Sequence, residues 1–307
     1  MPHWMTKIDR STGFFISKYG QPYRWLCLRL ALNLTIALFV LTAVDMIYPR
    51  EFMIWPMYWM EFIIGFSLTY FDYLRCRDRL GPMNRRPTRV ATTQGFTIVG
   101  LFAVWSLGYF AVQSVVNPAT AHTLPMPFDN SIPFIEYFTL PYVALYPMFF
   151  VPLLLIREPK AFDRLVTAYV ACFVTCWFVF LTYPVHIERP SFEVTNFSFW
   201  VMSVIYSADN AVNCFPSIHA SMTLLAGLIL WHYHRVYGAI GIALAALISV
   251  STLFIKQHYV MDIVFSTVLG YAVYHAFYVY EIDNRMAGWW ETAKERGNDW
   301  IGRLTSD

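Results

Sequence analysis

The sequence predicts an all-α fold: a polytopic membrane helical bundle of about eight transmembrane helices. Of 307 residues, 57% are hydrophobic and only 14% charged, against roughly 25% charged in an ordinary soluble domain. The apolar residues gather into runs near the ~20 residues that a helix needs to cross a hydrocarbon core. Basic residues concentrate in alternate connections, the distribution expected of cytoplasmic loops.

Those runs cover 26–47, 52–74, 94–116, 133–156, 165–183, 217–233, 236–255 and 260–280. Ahead of them, Lys7, Arg10, Lys18 and Arg24 stand among scattered aromatics with no short apolar core and small-residue cleavage site, so no removable signal peptide is expected. Pro56 and Pro141 interrupt two runs, which membrane helices tolerate where neighbours cover the freed backbone. Between the second and third runs lie Arg75, Arg77, Arg79, Arg85, Arg86 and Arg89 against the single acid Asp78, whereas 117–132 holds no Lys or Arg. The arginine-rich segment is therefore placed in the cytoplasm. Alternation puts Arg157, Lys160, Arg164, Arg235 and the tail residues Arg285, Lys294, Arg296 and Arg303 on the same side, with both termini cytoplasmic. Charge spread by topology, net +2, argues against a nucleic-acid surface and leaves the bilayer as partner. The five cysteines form no disulfide or zinc pattern.

The opposite, non-cytoplasmic side, whether periplasm, exterior or lumen, collects the polar residues of interest. Pro216, Ser217, Ile218 and His219 open one apolar run, and Lys256, Gln257, His258 and Asp262 stand at the turn after the next. One run goes across and the next returns, so the two sets meet at one membrane face. His258 and Asp262 are four apart, a spacing that lets the carboxylate accept from one imidazole nitrogen and leaves the other as nucleophile or base. His219 lies in a first helical turn, where free N–H groups suit a phosphate. Arg189 and Lys256 add positive charge. Two imidazoles, an orienting carboxylate and cations describe a phosphoryl-transfer site that needs no metal or other cofactor. A metal site of His219, His258 and Asp262 is the other reading of these residues; the two cations favour an anion instead. Glu61, mid-span in the second run, is read equally as a functional residue or as a protonated or hydrogen-bonded bundle contact.

These residues resemble the signatures of the type 2 phosphatidic acid phosphatase superfamily: Lys-x6-Arg-Pro, Pro-Ser-Gly-His and Ser-Arg-x5-His-x3-Asp. The second stands here as Pro216-Ser217-Ile218-His219, the third as Ser251-Thr252 followed by His258 and Asp262, and the first in part as Arg189-Pro190. Thr182, Ile218 and Thr252 depart from the Lys, Gly and Arg of those patterns. The resemblance implies a six-helix catalytic core, 93–281, after two accessory helices within 1–92, and a cytoplasmic tail, 282–307. It implies that His258 forms a phosphohistidine, Asp262 orients it, His219 is the acid for the leaving group, and Ser217 and Arg189 bind phosphate. Lys256 is the candidate to replace the missing arginine's charge. The implied activity is a lipid phosphate phosphatase acting on a membrane lipid phosphate or phospholipid. The His258-Tyr259-x-x-Asp262 form is also similar to inositol phosphorylceramide and sphingomyelin synthases, which implies head-group transfer to a lipid alcohol. A transporter or lipid-binding protein that kept the fold without the chemistry is the reading from another class, against which the lack of an internal repeat weighs.

Overall fold

The computed structural model describes residues 22–47, 54–80, 89–156 and 158–284. Among the described residues ten α-helices follow one another: α1 (Pro22–Ile47), α2 (Ile54–Leu80), α3 (Arg89–Val115), α4 (Thr139–Val143), α5 (Leu145–Leu155), α6 (Pro159–Thr182), α7 (Phe197–Ala208), α8 (Ile218–Tyr233), α9 (Arg235–Phe254) and α10 (Val260–Tyr274). A π-helical turn, His275–Val279, continues α10. No strand occurs among the described residues, and the fold is an all-α polytopic bundle. The N-terminal segment before Pro22, the side chains of the arginine-rich segment, Arg157 and the tail beyond Asn284 lie outside the described residues.

Among the described residues, six helical stretches are long and apolar enough to cross a membrane: Leu26–Val44, Thr93–Val115, Glu136–Leu155, Pro159–Thr182, Arg235–Phe254 and Val260–Val279. The chain is thus a multi-pass membrane protein. Of the eight apolar runs, two lie on helices outside these six. α8 has 16 residues, and α2 is interrupted by Glu61 and Asp72. The run at 133–156 divides into a 3₁₀ turn, α4 and α5, because Pro141 and Pro147 remove helix donors near the breaks, whereas Pro152 is carried inside α5. The sequence reading missed α7, whose 12 residues are too few to span.

α8 is the centre of the bundle. Eleven of its sixteen residues are buried, as expected of a helix enclosed by others. α9 and α10 pack along it, with α5 and α6 behind. Lipid-facing flanks are carried by outer helices, where Phe96, Val99 and Leu107 of α3, Phe178 of α6 and Val268 of α10 are exposed. α1 and α2 pair with each other, and α1 also touches α5 and α7.

Small residues let α8 and α9 approach closely, as at many membrane helix interfaces. A Cβ on Gly227 would lie 2.8 Å from the Ile242 backbone nitrogen and 2.9 Å from the Gly241 carbonyl carbon. Backbone cannot yield as a side chain can. Gly227→Ala is expected to destabilise the bundle by about 1–3 kcal/mol, read as a lower unfolding midpoint in detergent, whereas alanine at Gly100, which meets nothing within 4 Å, should leave the midpoint unchanged.

Candidate active site

Three helix ends meet at one end of the bundle: the C-terminus of α9 and the N-termini of α8 and α10. Local sequence fixes each. Ser217 caps α8, its side chain accepting from the Ala220 amide at 3.3 Å. The Ser217 carbonyl takes the Ser221 amide and hydroxyl. α9 closes where the amides of Gln257 and His258 both donate to the Thr252 carbonyl, at 2.9 and 3.3 Å, and Lys256 adopts φ 51°. That left-handed residue reverses the chain, as a C-terminal cap does. α10 then starts with Asp262 reaching back to accept from the Tyr259 amide at 2.8 Å, a carboxylate in the first turn, where it answers the free N–H groups.

Non-helical segments are stapled over these ends. Residues 184–187 thread between 122 and 211–214: the His186 amide donates to the His122 carbonyl at 2.8 Å, the Ile187 amide to that of Ala211, and the Cys214 amide to that of Val185. A second strap places Asp129 beside α10, where its Oδ1 accepts from the Val260 amide at 3.0 Å.

His258 and His219 face each other within this frame, only 5% and 9% exposed, with His258 Nε2 3.4 Å from His219 Nδ1. His258 Nδ1 lies 2.9 Å from the Cys214 carbonyl and 3.4 Å from Asp262 Oδ2. A carbonyl only accepts, so Nδ1 carries the proton of the neutral ring and Nε2 keeps its lone pair. On the far side, His219 Nε2 is 2.7 Å from the Tyr142 hydroxyl. With Tyr142 donating, His219 Nδ1–H donates to His258 Nε2, and each contact holds one proton. The reverse order would set two lone pairs against each other. Asp262 is fully buried, and its Oδ1 accepts no hydrogen bond among the described residues. Burial, with the charges of Asp262 and Asp209, pushes the Cys214 thiol well up; this residue offers the site its carbonyl and not a thiolate.

The two expected cations are placed differently. Arg189 joins the turn that bears His258: Nη2 donates to Gln257 Oε1 and Asp209 Oδ2, Nη1 to the Asp209 and Tyr206 carbonyls, and the guanidinium lies 4.4 Å over the Tyr206 ring. Lys256 turns away, its Nζ donating to the Ile132 carbonyl at 2.6 Å and that of Asp129 at 3.3 Å. Burial pulls its pKa down, and Asp129 opposes this. The structure thus brings His219, His258, Asp262, Ser217 and Arg189 to one site and holds Lys256 on the neighbouring strap. Sequence reading missed Tyr142, Asp209, Gln257 as a partner of Arg189, and the Cys214 carbonyl. Asp209 alone left a signal, an acid on the segment between Arg189 and His219. Among the described residues, no group of three His, Cys, Asp or Glu is arranged to hold a metal ion.

Two clefts open here. An apolar one of about 480 Å³ is lined by Leu124, Pro125, Met126, Tyr183, Phe215, Met261 and Phe265. A polar one of about 540 Å³ is lined by His186, Glu188, Arg189, Tyr206, Asp209 and Asn210. Phe215 immediately precedes the α8 cap and Met261 precedes Asp262, so the apolar cleft borders the helix starts that carry the histidine pair.

A multi-pass bundle with a buried imidazole pair at converging helix ends is a membrane protein with the layout of an enzyme site. Residues 127–276, just under half of the chain, match the family model described as the PAP2 superfamily, which supports the resemblance to the type 2 phosphatidic acid phosphatase superfamily. Members of that superfamily are phosphatases or phosphotransferases, which supports an enzyme of that class. No curated protein and no solved structure matches the chain.

Proposed function

We propose that the chain cleaves a phosphate ester of a membrane lipid through a phosphohistidine on His258. The observation that carries this reading is the set of contacts around the histidine pair, whose proton order leaves His258 Nε2 unprotonated and His219 Nδ1–H donating to it. The phosphoryl group enters between the rings by displacing the His219–His258 contact. Nε2 attacks it, the bond to the leaving oxygen breaks, and His219 gives that oxygen its proton. Asp262 and the Cys214 carbonyl stabilise the charged His258 ring. Water or an alcohol then loses a proton to His219 and attacks the phosphohistidine, restoring both side chains. Ser217 and Arg189 bind the phosphate with the first-turn amides of α8, and Lys256 adds its positive field from the rim. The apolar cleft beside Phe215 suits a lipid chain. By the loop charges, the site faces the non-cytoplasmic side.

Head-group transfer to a lipid alcohol is the second reading. It is favoured by Thr182 and Thr252, neutral where the superfamily signatures carry Lys and Arg. Purified protein in chelator with phosphorus-labelled lipid, with and without a lipid alcohol, tests both. Free phosphate marks hydrolysis and a new labelled lipid marks transfer; neither product would overturn the enzymatic reading.

Tyr142 should orient His219 without touching phosphorus. Tyr142→Phe removes one buried hydrogen bond, worth about 1–1.5 kcal/mol, so kcat is expected to fall about tenfold with KM unchanged. An unchanged kcat would remove Tyr142 from the proton path.

A further inference from the structure

The Arg189 guanidinium is already neutralised. Asp209 accepts from its Nη2, and the Asp209 carboxylate is itself fixed by the Tyr109 hydroxyl, which donates to Oδ1 at 2.8 Å. Both side chains are nearly buried, 11% and 14% exposed, so solvent screens the pair little. Among the described residues, the buried donors at this corner without a protein partner are Arg189 Nε and Gln257 Nε2, one from a paired cation and one from a neutral amide. The other charged or titratable groups add no cation at the Arg189 corner itself. Glu188 and His186 line the same cleft, Asp262 is beside His258, and Lys256 is engaged with carbonyls of the 129–132 strap. Thr182 and Thr252 are neutral.

A phosphate monoester brings two negative charges to this corner at neutral pH, and a diester brings one. An unmatched charge in a partly desolvated site is costly. We propose that Asp209 is a specificity-determining residue: by occupying Arg189 it sets the site to accept the monoanionic phosphodiester of a phospholipid in preference to the dianionic monoester of a lipid phosphate. This rests on the phosphoryl-transfer reading above, deepens it to a substrate class, and leaves the acceptor open.

The test compares phosphatidic acid with diesters of the same acyl chains bearing glycerol, inositol or ethanolamine head groups, in mixed micelles with full-length protein. At pH 7.5 the best diester is expected to exceed phosphatidic acid at least about tenfold in kcat/KM. The monoester's second ionisation lies near pH ~6, while the diester does not titrate there. The monoester-to-diester ratio should therefore rise as pH falls from 7.5 to 5.5, and enzyme groups common to both substrates cancel in it. Asp209→Asn should raise that ratio about tenfold at pH 7.5 and flatten its pH dependence. The wild-type pH series needs no variant to fold. A wild-type ratio that favours phosphatidic acid, or that stays flat or rises with pH, overturns the proposal. Cleavage of no lipid at all, or full activity in His258→Ala, overturns the phosphohistidine reading and this proposal with it.

Discussion

Replacing His258 with alanine is expected to lower kcat by at least about 10⁴-fold, the scale on which loss of a covalent nucleophile is felt. No neighbouring group can take over. Asp262 is turned to the Tyr259 amide, Cys214 keeps its proton, with Sγ donating to the Ala211 carbonyl at 3.2 Å, and His219 has its nitrogens between His258 and Tyr142. The side chain is small and its bonds end at one backbone carbonyl and one carboxylate, so a near-normal unfolding midpoint should accompany the loss. Turnover by His258→Ala within tenfold of wild type would rule out a covalent intermediate at this position.

His219→Ala should behave differently, because a proton donor matters only as much as the leaving group needs it. With an alkyl ester the leaving oxygen is a poor anion, and kcat should fall about 10²–10⁴-fold, the usual range for general acid catalysis. With a p-nitrophenyl ester the departing oxygen leaves without a proton, and the loss in the first step should shrink to about tenfold or less. His258→Ala should abolish both reactions alike. Equal losses on the two substrates in His219→Ala would show that this ring positions phosphate and does not deliver a proton.

Much of the site was legible because its chemistry sits in side chains at fixed helical spacing. His258 and Asp262 stand one turn apart, and Pro216-Ser217 announces the start of α8, so their convergence followed from two apolar runs of similar length. What stayed hidden lay in groups that no side-chain letter encodes or that coil brings together. The nearest partner of His258 Nδ1 is a backbone carbonyl, invisible in sequence. Tyr142 lies inside an apolar run in a chain with 20 tyrosines, and only its hydrogen bond to His219 singles it out. Lys256 read as a site cation by proximity, but its left-handed backbone conformation sends the side chain to the 129–132 carbonyls. Asp209 meets Arg189 across twenty residues of α7 and irregular chain, where no periodicity reports a contact. For the fold, hydropathy found helices of spanning length and passed over α7, because a 12-residue apolar stretch within a polar connection resembles a loop.

The most direct measurement traps the intermediate itself. Wild-type protein is mixed with a phosphorus-labelled lipid donor, quenched in base within one turnover, digested and sequenced by mass spectrometry. The expected result is an acid-labile, base-stable phosphoryl or phospho-head-group adduct on the peptide containing His258, absent in His258→Ala. Product formation with no adduct, or with the adduct on His219 or any other residue, would contradict the assignment of His258 as the nucleophile.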